Sequence, residues 1–154
     1  MRAHHLLCIL GFRRRGYSQE FIDGMDEVVS SIKSHPDTTL ELKTSPDAIC
    51  RLCPHLAATG CNRRAGAEES VRKKDLAILE ALGLRAGMRL RVSEVYEKVR
   101  SSFHEKDLSK RYCARCRWLP LGFCTEGLRR LNEGKFFLRS PGGKKHRNYN
   151  REKS

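Results

Sequence analysis

Cys50-Arg51-Leu52-Cys53-Pro54-His55-Leu56-Ala57-Ala58-Thr59-Gly60-Cys61 and Cys113-Ala114-Arg115-Cys116-Arg117-Trp118-Leu119-Pro120-Leu121-Gly122-Phe123-Cys124 carry one spacing, C-x2-C-x7-C, twice. Each copy also keeps a leucine three residues after its second cysteine, Leu56 and Leu119. Thiolates three residues apart can face a single metal centre, and a third from a nearby turn can close on it. The seventh cysteine, Cys8, ends the run His4-His5-Leu6-Leu7-Cys8. The pattern describes a metalloprotein whose irregular loops are stapled by two cysteine-rich centres.

At 154 residues the chain suits one domain with a modest core. The expected division is a metal-binding domain over residues 1–138 and a basic, flexible tail over 139–154. The apolar run Leu6 to Phe12 is broken by Gly11 and ends at Arg13-Arg14-Arg15. It is too short to span a membrane, and the N-terminus does not read as a signal peptide, so a cytoplasmic location with reduced thiols is expected. An odd cysteine count also argues against a complete disulfide framework. The net charge of +13 is unevenly spread: zero over residues 1–60, +4 over 61–110 and +9 over 111–154. That asymmetry points to a polyanionic partner, most simply nucleic acid, with a solvated basic surface as the plainer alternative.

Periodicity outlines a helix-dominated α+β domain. His4 to Phe12 is apolar enough to be buried. Ser18 is placed to cap a helix running to about Ser34, with Phe21, Ile22, Met25, Val28, Val29 and Ile32 on one stripe. Thr38 to Lys43 alternates as a short strand, expected to pair with Leu90 to Val92. Asp47 reads as the cap of a helical turn carrying Cys50 and Cys53. A helix over Ala67 to Leu82 follows, with Val71, Ile78, Leu79 and Leu82 inward. Another is expected from Ser93 through Phe103, and a short one from Thr125 to Glu133 stopped by Gly134.

Zinc and iron–sulfur centres usually take four protein ligands, and each triad offers three. Counting suggests one site of Cys8, Cys50, Cys53 and Cys61. The other would combine Cys113, Cys116 and Cys124 with a histidine (His4, His5, His55 or His104) or an open position. Three close cysteines with a distant fourth, and Pro54 after Cys53, favour an iron–sulfur cluster, 4Fe–4S in type, over zinc. His4 and His5 also suit a capping role without ligation. Trp118 is expected to shield the second centre from water, with base stacking as the sharper alternative.

The segments Arg2-Ala3-His4-His5-Leu6-Leu7-Cys8, Pro46-Asp47-Ala48-Ile49-Cys50 and Cys113-Ala114-Arg115-Cys116-Arg117-Trp118 resemble a family of small bacterial and archaeal proteins of unknown function. Its members share an HHLLC start, a P-D-x-I-C segment and a later C-x2-C-x-W segment. The likeness covers roughly residues 2–131. It implies iron–sulfur binding, which has been suggested for that family, and implies no reaction.

Three functional classes therefore stand open. One is an iron–sulfur protein for electron transfer or for docking an anionic partner. A second is a zinc-stabilised nucleic-acid-binding module using Arg111, Arg115, Arg117, Arg129, Arg130, Lys144, Lys145 and Arg147. The third is an enzyme with an open iron acting as a Lewis acid, or with Cys8 as a nucleophile beside a histidine. The sequence has no nucleotide-binding glycine loop, no H-E-x-x-H and no G-x-S-x-G.

Overall fold

The computed structural model describes residues 1–137. Lys144, Lys145, Arg147 and the rest of the expected tail lie outside the described residues. The fold is α+β and helix-dominated. Its elements in chain order are α1 (Ala3–Gly11), α2 (Gln19–Ser34), β1 (Thr39–Glu41), a 3₁₀ turn (Cys50–Leu52), β2 (Leu56–Ala57), β3 (Gly60–Cys61), α3 (Ala67–Ala81), β4 (Arg89–Arg91), α4 (Val92–Ser102), α5 (Glu105–Asp107) and α6 (Phe123–Asn132). A π turn over Leu108–Tyr112 and a 3₁₀ turn over Leu119–Leu121 join α5 to α6.

α1 is the axis of the molecule. Ala3, His5, Leu6, Leu7, Ile9 and Leu10 are all buried, and a helix apolar on nearly every face belongs in a core. α3 and α6 pack directly on it, and Tyr96 of α4 donates its hydroxyl to the Leu6 carbonyl at 3.2 Å. The α6 crossing is close because two glycines make room. A methyl group on Gly11 would collide with the Cys124 sulfur and backbone, and one on Gly127 would collide with the Leu10 carbonyl.

α2 starts where expected, with Ser18 accepting from the Phe21 N–H at 3.1 Å. Gly24, unfavourable for a helix interior, lets Leu52 of the first cysteine turn lie against the α2 backbone. β1 and β4 pair antiparallel in the register Thr39–Arg91, Leu40–Leu90, Glu41–Arg89. Two helix starts differ from expectation. α4 begins at Val92, ahead of Ser93, because Glu94 accepts from the Arg91 N–H at 2.9 Å and takes over the capping. α6 begins at Phe123 rather than Thr125, which puts Cys124 inside its first turn.

Gly127→Ala should lower the stability of the folded chain by about 1–3 kcal/mol through overpacking, read as a reduced urea midpoint. An unchanged midpoint would mean that α1 and α6 do not approach as described.

Candidate metal centres

The two triads begin as one local structure. Cys53 N–H donates to the Cys50 carbonyl at 2.9 Å, and Leu56 N–H donates to the Cys53 carbonyl at 3.0 Å. Around the second triad, Cys116 N–H donates to the Cys113 carbonyl at 2.8 Å and Leu119 N–H to the Cys116 carbonyl at 3.2 Å. The repeated leucine is thus the residue that closes each turn. Beyond it the copies part. The first runs into the small hairpin β2–β3, where Leu56 stands opposite Cys61. The second runs through a 3₁₀ turn into α6, whose N-terminal end favours a thiolate at Cys124.

Cys8 belongs with the second triad. Burial raises its thiol pKa first, and the neighbouring Cys113, Cys116 and Cys124 sulfurs raise it further. This proximity favours the second triad over the grouping expected from counting, in which Cys8 joined Cys50, Cys53 and Cys61. The cause is the α1–α6 crossing: Gly11, three residues after Cys8, touches Cys124. Cysteines from α1, the Cys113–Cys116 turn and α6 therefore lie in one neighbourhood. Burial also raises Cys113 to about 11 and pushes Cys124 up, while Lys74 of α3 opposes the rise at Cys8 and Cys113. Such elevated thiols ionise readily only against a cation, which a metal centre supplies.

The first triad has a different neighbour. Among the described residues, one set of three metal-type donors lies within 4.8 Å of one another: His5, Asp47 and Cys50. Asp47 caps the cysteine turn as expected, with Oδ1 accepting from the Ile49 N–H at 3.0 Å and the Cys50 N–H at 3.1 Å. Its Oδ2 accepts from the Arg2 backbone N–H and from His5 Nδ1, each at 2.8 Å. Burial would raise this carboxyl, but the His5 bond and the backbone donors hold it far below the carboxylate range. The Cys50 thiol is pushed up to about 12, by burial and then by the Asp47 charge.

Counting ligands assigns His4 or His5 to the second triad, whereas His5 lies beside Cys50 of the first. Both rings bond carboxylates rather than the carbonyls that a simple capping role would use. His4 Nδ1 donates to Asp75 at 2.7 Å, and the two imidazoles lie 4.2 Å apart. Burial, and then the neighbouring His5, lower His4 to about 4 despite the Asp75 partner, so His4 is neutral near pH 7. His55 packs edge-on against Tyr17 at 4.8 Å, and His104 stands exposed at the start of α5.

A buried salt-bridge cluster that sequence inspection overlooked supports the first centre. Arg2, 1 % exposed, donates from Nε to Asp75 at 2.8 Å, from both terminal nitrogens to Glu68 at 3.0 Å, and to the Thr44 carbonyl at 2.9 Å. Glu68 in turn accepts from the Cys61 N–H at 2.7 Å. One signal was available: Asp75 lies on the inward stripe of α3, between Val71 and Leu79 at four-residue steps.

The two centres share a side of the molecule. Arg63 donates to the Tyr17 hydroxyl at 2.9 Å, and its charge is felt by both Cys61 and Cys116. Tyr17 contacts Trp118 edge-on at 6.1 Å. The Arg117 guanidinium lies over the Trp118 ring at 4.8 Å, so that face is covered by an arginine. Arg111 lies over the Tyr112 ring, and Arg115 is exposed. Arg129 pairs with Glu133 at 3.6 Å, and Arg130 bonds the Lys135 carbonyl. No helix among the described residues is long and apolar enough to cross a membrane.

A family model described as Protein of unknown function (DUF1284) matches residues 16–122, and the chain belongs to that family. The match includes the first triad together with Cys113 and Cys116, and stops short of Cys8 and Cys124. No curated protein and no solved structure matches the chain.

Arg2→Leu should destabilise the fold by about 3–5 kcal/mol, because it strands the buried Asp75 carboxylate and takes the partner from the half-buried Glu68. Equilibrium unfolding would measure the loss, and a cost below 1 kcal/mol, roughly that of an exposed pair, would contradict the cluster.

Proposed function

We propose that this member of an uncharacterised family is an iron–sulfur protein, with Cys8, Cys113, Cys116 and Cys124 holding a 4Fe–4S cluster. The observation that carries the reading is that Cys113, Cys116 and Cys124 all lie near enough to Cys8 to act on its charge, with Cys124 packed against Gly11 of the same helix. Three cysteines close in sequence with a distant fourth favour a cluster over zinc.

Bound there, the cluster would supply one-electron redox chemistry, and the residues around it define its setting. Lys74 and Arg63 place positive charge beside the thiolates, which favours the ligated, anionic state. Leu7, Leu10 and Leu128 are buried in the core, while Cys8, Cys113, Cys116 and Cys124 are half-buried, and solvent access is one of the conditions that tune cluster potentials. The exposed Arg115 and Arg117 flank Cys116, so an anionic partner docking on this face would sit close to the electron-carrying group. The function is electron transfer to or from such a partner.

Protein purified without oxygen should be brown and contain iron and sulfide in equal amounts. Cys116→Ser should remove about half of both, and Cys53→Ser the other half, if each triad holds one cluster. Colourless protein containing only zinc would overturn the assignment.

A further inference from the structure

We propose that His5, through Nε2, is the fourth ligand of the centre formed by Cys50, Cys53 and Cys61, making it a three-cysteine, one-histidine cluster. This rests on the iron–sulfur reading above and assigns what that reading leaves open, the identity of the missing ligand.

Cys8 is committed to the other triad, so no cysteine remains for the first. Of the two non-sulfur donors beside Cys50, Asp47 is already saturated. Its two oxygens accept four hydrogen bonds, from Arg2, Ile49, Cys50 and His5, and a carboxylate has about four such positions. His5 is the opposite case. Its Nδ1 must be the donor, because Asp47 is an ionised acceptor, and this leaves Nε2 as the nitrogen with a free lone pair. Nε2 has no hydrogen-bond partner among the described residues. A ring nitrogen of His5 lies within 4.8 Å of the Cys50 sulfur.

A histidine whose Nδ1–H is held by a carboxylate, with Nε2 turned to a metal, is the usual arrangement of an imidazole ligand. The surroundings hold it in place: Asp47 is pinned by backbone donors, and the ring, 11 % exposed, is packed against His4. The Cys61 arm is fixed independently through Glu68 and Arg2. His4 is the competing imidazole. Its carboxylate partner is Asp75, on α3, and no hydrogen bond ties it to the cysteine turn.

A neutral imidazole in place of a thiolate makes the centre less negative by one charge, and this raises its reduction potential. The two centres then differ in kind, and electrons entering at the Cys8 centre run downhill to the His5 centre.

The test is pulsed electron paramagnetic resonance of anaerobically purified, reduced protein, with and without ¹⁵N-histidine. The expected result is a strongly coupled imidazole nitrogen whose pattern changes with the isotope. It should persist in His4→Gln and disappear in His5→Cys, which retains full iron because a thiolate replaces the imidazole. The potential of the higher-potential centre should fall in His5→Cys. A fully loaded protein without a coupled histidine nitrogen, coupling that survives His5→Cys, or coupling lost in His4→Gln overturns the assignment while leaving the iron–sulfur reading intact. Protein that takes up no iron overturns both.

Discussion

The position of the first cysteine triad depends on a single buried cation. Arg2 stands at the start of α1 with its guanidinium closed off from water, and its charge is matched by Asp75 and Glu68 of α3. Burial disfavours that charge, but the two carboxylates hold the group firmly protonated. A buried ion of this kind is weak evidence for stability by itself, since desolvation offsets much of the attraction. What it secures is position. One side chain joins α1, α3 and the Thr44 carbonyl ahead of the first cysteine turn, and it does so with directional bonds that tolerate little displacement.

That constraint passes outward to the cysteines. Glu68, fixed by Arg2, fixes the Cys61 backbone; the Arg2 backbone, through Asp47, fixes the Cys50 turn and the His5 ring. The second centre depends on a different force. There the close approach of α1 and α6 at Gly11 and Gly127 carries Cys124 to Cys8, and van der Waals contact replaces the polar network. One triad is therefore positioned by charge and the other by packing, and both forces act on the same helix, α1.

Local signals in the sequence were legible because they act over a few residues. The Ser18 cap, the Asp47 cap, the β1–β4 pairing and the inward face of α3 follow from turn chemistry and periodicity. The shared C-x2-C turn, with its closing leucine, belongs to the same class. The allocation of Cys8 was not legible, since i, i+4 spacing from His4 is equally compatible with either triad. It is decided by a helix crossing more than a hundred residues away in sequence, for which glycine at two positions is the only trace. The Arg2 cluster was missed because charged residues are presumed exposed, although Asp75 occupies an inward position of an otherwise apolar stripe.

The geometry of α1 gives the His4-His5-Leu6-Leu7-Cys8 run its meaning. Residues three apart on a helix point roughly 60° from each other, so His5 and Cys8 address neighbouring but distinct directions from one turn. Leu6, Leu7, Ile9 and Leu10 fill the remaining directions and bury the helix. A single turn of core helix thereby offers a nitrogen toward one triad and a sulfur toward the other. Any shift of α1 along or about its axis would move both donors together. The two triads are then joined through a rigid element rather than through a loop.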